Sequence, residues 1–192
     1  MAALAFTAAS VVPAAPLVVS MTDAAGRPVE NAVVAVQVAG VPAKAPPGAT
    51  AEIGQRDRQF VPPVSVVQVG TAVSFPNFDT VRHHVYSFSA ARPFELKLYV
   101  GSPVAPIVFD KPGLVAIGCN IHDRMQAWLA VVETPFHAVT DATGIARLDV
   151  PAGEHRLRAW RPADGDMATV VERPVRGGTG APVAVRLPAG AT

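Results

Sequence analysis

The sequence predicts an all-β protein of sandwich type, and three observations carry the prediction. Gly and Pro supply 15 and 19 of the 192 residues; proline stands at about twice its average usage with no collagen period, which marks many turns. Between the turns lie short runs rich in β-branched residues that alternate apolar and polar. No stretch repeats apolar residues at the period of an amphipathic helix. Hydrophobic residues make up 50% of the chain and charged ones 16%, where roughly 25% charged is usual, so disorder driven by charge repulsion is excluded.

From Met1 to Met21 the chain carries no charged residue, and residues 1–15 are Ala-rich. This reads as a leader or the remnant of a signal peptide, without the basic first segment and interrupted by proline, and it implies an exported, periplasmic protein. Beyond it no run of about 18 apolar residues is free of charge or proline, so no membrane span is expected. Leu17 to Ser20 and Ala32 to Val38 are apolar and β-branched on either side of the turn signal Asp23 to Arg27, which predicts a hairpin. Gly40 to Thr50, with three prolines and two glycines, reads as a crossing loop and a boundary.

Seven short strands follow: Val64 to Val69, Ala72 to Phe75, His84 to Phe88, Phe94 to Val100, Pro106 to Phe109, Gly113 to Gly118 and Gln126 to Val132. Turn residues such as Gly70-Thr71, Gly101-Ser102-Pro103 and Lys111-Pro112-Gly113 separate them, the pattern of a β-sandwich. After Thr134 the runs Ile145 to Val150, His155 to Trp160 and Ala181 to Leu187 resemble the N-terminal region in character. Neither end has enough strands to close a core alone, so the two ends are expected to pack together.

Val18 to Val38, with its Asp23-x-x-Gly26-x-Pro28-Val29-x-x-Ala32-x-Val34 pattern, resembles the opening of transthyretin-like or carboxypeptidase-regulatory-like modules. Thr140 to Gly144 and Pro151 to Trp160 resemble the second half of such modules. The implied organisation is one small sandwich, residues 16–48 and 134–190, split by a central domain at 49–133; two independent half-modules flanking that domain are the alternative.

Gly118-Cys119-Asn120-Ile121-His122-Asp123-Arg124-Met125 reads C-x2-H-x2-M between two predicted strands. A thiolate, an imidazole and a thioether on one short loop are the soft and borderline donors that suit copper. A second imidazole is available at His83-His84, at the start of a strand. Two histidines, one cysteine and a weak axial methionine form the ligand set of a type 1 blue-copper site.

From Gly48 to Glu133 the chain resembles the cupredoxins, in particular the plastocyanin and amicyanin group, whose fold is a Greek-key β-sandwich. The resemblance rests on Phe60-Val61-Pro62, on Val66 to Phe75, on Asn77-x-Asp79 and on the short ligand loop. It implies one type 1 copper held by His83, Cys119, His122 and Met125. His84 occupies a place usually held by asparagine and, with Asn77 and Asp79, is implied to support the ligands; His84 in place of His83 as the first imidazole is the alternative. The implied role is non-enzymatic transfer of single electrons between periplasmic redox partners such as a c-type cytochrome or a dehydrogenase. A copper carrier or store, or a binding module with structural copper, is the alternative.

Other chemistries lack their signatures. The 16 basic and 15 acidic residues are scattered, so there is no electrostatic footprint for nucleic acid. One cysteine forbids a disulfide framework, a multi-thiolate zinc site and haem attachment through C-x-x-C-H. Cys119 with His122 could make a nucleophilic pair, but no third orienting group or oxyanion site accompanies it. His137 and His155 read as surface or packed residues and Trp128 and Trp160 as core, while Arg82 and Arg124 flank proposed ligands and are placed to steer an acidic partner.

Overall fold

The computed structural model describes residues 15–103, 105–165 and 170–188, so the leader expected at 1–15 lies, but for Ala15, outside the described residues. Seventeen strands form the described chain, with a single 3-10 turn at Pro162–Asp164. Alternation and β-branching decide this: β1 (Leu17–Thr22) buries Leu17, Val19 and Met21 and half-exposes the residues between them, the signature of a strand with one face on a core. No helix among the described residues is long and apolar enough to cross a membrane.

Strands from both ends of the chain share two sheets. β1 lies between β14 (Ile145–Leu148), antiparallel, and β17 (Val183–Arg186), parallel. β2 (Val33–Gln37) lies between β13 (His137–Val139) and β15 (Gly153–Trp160), and β16 (Val171–Gly177) forms the edge beyond β15. The two sheets close over one apolar cluster that includes Val19, Met21, Val34, Val36, Leu148, Leu157 and Val185.

The expected hairpin of β1 and β2 does not form. The two strands face each other across that core, one in each sheet, because both carry apolar residues that must meet the same interior. Asp23 still makes the turn, its Oδ1 accepting the N–H groups of Ala25 and Arg27 at 2.8 and 2.9 Å.

The middle of the chain builds a second core. Its main sheet has the order β6 (Val64–Gln68), β12 (Gln126–Val132), β11 (Gly113–Gly118), β8 (His83–Ser87) and β9 (Phe94–Tyr99). β7 (Ala72–Ser74) pairs with β3 (Thr50–Glu52) and β10 (Ile107–Val108), and β4 (Gly54–Arg56) with β5 (Gln59–Val61). Phe60, Phe75, Val85, Phe109, Val115, Ile117 and Leu129 fill the interior, together with Cys119 and Met125.

β12 serves both cores' neighbourhoods. Ala127, Leu129 and Val131 face the central core, whereas Ala130 and Val132, with half-buried Trp128, turn the other way. The sequence places Trp128 inside with Ala130 and Val132; the three do share a face, but it packs on Val33, Ala35, Val64 and the buried Trp160 in a third cluster that joins the two sandwiches. The chain crosses between the sandwiches at two places that meet: Ala45 donates its N–H to the Val69 carbonyl at 2.8 Å, and Val69 donates to the Val132 carbonyl at 2.9 Å.

Candidate metal centre

Three elements deliver the candidate ligands to one end of the central sandwich. β11 ends at Gly118, and the next residue, Cys119, continues its inward alternation and is buried. The loop then turns back on itself: the Met125 N–H donates to the His122 carbonyl at 2.9 Å and the Cys119 N–H to the Met125 carbonyl at 3.2 Å. This closure places Cys119, His122 and Met125 around a single turn before β12 begins. The third element, β8, opens at His83, which is fully buried.

The ring Nδ1 atoms of His83 and His122 approach to 3.2 Å, and Nδ1 of His122 lies 3.6 Å from Sγ of Cys119. One donor atom from each of the three residues lies within 4.8 Å of the others, and His122 alone of the three is half-exposed. Met125 is buried in the same apolar cluster as Cys119, beside residues such as Phe75, Val85 and Ile117. Alternation along β8 separates the two neighbouring histidines. His84 points to the opposite face, where its Nε2 contacts the Glu95 carboxylate at 2.8 Å.

The segment before β8 is tied down by Asn77 and Asp79. Asn77 donates through Nδ2 to the carbonyls of Val81 and Tyr99, both at 2.9 Å, and its Oδ1 accepts the Asp79 N–H at 2.9 Å. Asp79 Oδ2 meets His83 Nε2 at 2.7 Å. Its two oxygens also accept the N–H groups of Asp57 and Arg58 at 2.7 and 2.9 Å. Burial opposes ionisation of Asp79, but the hydrogen bonds from Arg58, His83 and Asp57 outweigh it and hold the carboxyl below its ordinary range.

Two residues beside the centre were not singled out by the sequence. Gln55, fully buried, donates through Nε2 to the Phe75 carbonyl at 2.8 Å and to the Tyr99 hydroxyl at 2.7 Å. Burial, set against the hydrogen bond from Gln55 and reinforced by nearby Cys119, pushes the Tyr99 hydroxyl up to about 12, so it stays protonated and donates to the Phe75 carbonyl. Neither stands out in the sequence: Gln55 sits between Gly54 and Arg56 in a three-residue strand, and Tyr99 ends a strand that already carries Glu95 and Lys97. Arg82 and Arg124 both lie exposed on the loops that carry His83 and His122.

The donor set fits a soft or borderline metal. Nε2 of His83 lies against the Asp79 carboxylate, and its Nδ1 is turned toward Nδ1 of His122. One sulfur and two imidazole nitrogens in an apolar surround favour copper or zinc over hard, oxygen-seeking cations. His83, Cys119 and His122 form a cluster able to hold a metal ion.

No family model matches the chain, and no curated protein matches it. Among solved structures, the chain is similar to a point mutant of amicyanin in its reduced form, at 16% identity and a TM-score of 0.40, over 51% of this chain and 97% of that one. It is similar to a purple cupredoxin from Nitrosopumilus maritimus, at 20% identity and a TM-score of 0.37, over 43% of this chain and 98% of that one. A copper-containing nitrite reductase from Thermus scotoductus matches at 25% identity and a TM-score of 0.41, over 59% of this chain and 28% of that one. The described residues form an all-β protein whose central core carries a His-Cys-His cluster able to hold a metal ion.

Proposed function

We propose that the protein is a type 1 copper protein that carries single electrons and catalyses no reaction of its own. The observation that supports this reading is the buried convergence of His83 Nδ1, Cys119 Sγ and His122 Nδ1 within 4.8 Å, with Met125 buried on the same loop. Copper bound there would supply a one-electron Cu(II)/Cu(I) couple. The chain's part is to hold the donors so that neither oxidation state relaxes far, which keeps reorganisation small. The apolar packing around Cys119 and Met125 excludes water from the sulfur side, and half-exposed His122 gives the site its approach to solvent.

In this reading residues 49–133 are the copper-bearing domain, and residues 16–48 with 134–190 are the outer, transthyretin-like sandwich. The protein works in the periplasm, and its partner is a redox protein such as a c-type cytochrome or a dehydrogenase. Exposed Arg82 and Arg124 fit a partner with an acidic face.

The test is the visible and EPR spectrum after Cu(II) is added to the metal-free protein, compared with Cys119→Ser. An intense blue thiolate-to-copper band with narrow copper hyperfine splitting, lost in Cys119→Ser, is the expected result. A pale tetragonal Cu(II) spectrum, or no binding, overturns the electron-transfer reading and favours a copper carrier or a metal-free binding module.

A further inference from the structure

Asp79 does more in the structure than close a turn. Its carboxylate, 15% exposed, gathers three donors: the N–H groups of Asp57 and Arg58 and Nε2 of the fully buried His83 at 2.7 Å. Asp57 and Arg58 are the two central residues of the β4–β5 turn, and both have positive φ, 53° and 58°. The same carboxylate therefore joins the tip of that hairpin to a candidate ligand at the start of β8. The turn N–H groups take one oxygen each, and Oδ2 is shared with His83 Nε2, so the turn uses both oxygens but does not by itself require that they carry a full charge.

The histidine does. An imidazole that binds a metal through Nδ1 must carry its proton on Nε2, and a carboxylate on Nε2 selects that tautomer. A negative charge on the far nitrogen also raises the basicity of Nδ1. A more basic nitrogen with a carboxylate behind it favours the more highly charged ion. We propose that Asp79 is a positioning residue which holds His83 with Nδ1 unprotonated and, through its charge, biases the bound copper toward Cu(II), lowering the reduction potential. This rests on the copper reading above for its redox half, whereas its tautomer half concerns the protein alone.

The experiment has two arms. In the metal-free protein, histidine ring 15N shifts should show His83 as the Nε2–H tautomer, and Asp79→Ala should give a mixture or the reverse. In the copper-loaded protein, Asp79→Asn, which keeps one of the two acceptor oxygens and removes the charge, should retain the blue band and raise the potential. A tenfold loss in the preference for Cu(II) over Cu(I) would read as a rise of about 59 mV. Asp79→Glu, which restores the charge, should bring the potential back toward that of the unaltered protein.

An unchanged potential in Asp79→Asn with an intact blue band overturns the charge assignment. An Nδ1–H tautomer of His83 in the unaltered metal-free protein overturns the positioning assignment. If Asp79→Ala fails to fold, Asp79→Asn carries both arms. If the unaltered protein shows no blue band, the copper reading fails by itself, and the tautomer of His83 still decides the positioning assignment.

Discussion

His83 and His84 show how far one residue step changes a side chain's task. His83 faces the central core with both ring nitrogens engaged, one by Asp79 and one toward His122. His84 is also buried but faces the other way, between Glu95 and the ring of Tyr86, whose centroid is 5.4 Å away. Strand alternation separates them, at a point where the pairing of β8 with β9 shifts register, and it becomes decisive only once the strand's inner face is known. The C-x2-H-x2-M loop was legible because its donors lie within seven residues, and Asp79 because it stands in the Asn77-x-Asp79 segment just before the paired histidines. Gln55 and Tyr99 were not, since their polarity matters only after three distant segments have met around Phe75. A separate histidine carries a pH dependence. Burial lowers the pKa of His137 below its ordinary 6.5, so the folded state resists a proton that the unfolded chain accepts. The sign follows: stability is full above about pH 6.5 and declines as pH falls from there toward the lowered folded value. Denaturant unfolding at about pH 7.5 and about pH 5.5, on either side of the ordinary histidine value, should show a smaller loss of stability on acidification in His137→Gln than in the unaltered protein.

The elements most easily read from sequence are those with one buried face, such as β1 and β14. Others needed tertiary context. β16 contains Pro174, which argues against a strand, but β16 is a sheet edge where an absent N–H donor is tolerated. The sequence predicts that β1 and β2 pair, as consecutive strands usually do. Instead each needs an apolar neighbour across the core, and β15, not β1, lies beside β2. β3, β4 and β5 are three residues each, too short to show a period. The β4–β5 turn also yields a prediction. Two successive positive-φ residues joining paired strands make a type I′ turn, which favours glycine at its second position. Left-handed backbone costs a non-glycine residue about 1–2 kcal/mol, and glycine's added freedom in the unfolded chain offsets part of this. Arg58→Gly keeps the N–H that Asp79 accepts and should stabilise the protein by about 0.5–1 kcal/mol in denaturant unfolding.

At the scale of the whole molecule, the two sandwiches are joined by an apolar contact centred on Trp160, whose side chain is buried against Val33, Val64, Ala130 and Val132. Removing so large a side chain costs about 3–5 kcal/mol by lost burial and the cavity left behind. Trp160→Ala should therefore lower stability by about that amount, and calorimetry should resolve two transitions where the unaltered protein shows one. A single transition, merely shifted, would mean that the other contacts between the sandwiches suffice for cooperativity. The route of the chain adds a mechanical consequence. β1 and β17, near the two ends of the described chain, lie side by side and parallel in one sheet, while both crossings into the central sandwich are bonded to Val69. Tension applied to the ends is carried first by the hydrogen bonds between those terminal strands. The central sandwich hangs from a closed neck and feels no load until the outer sheets have given way.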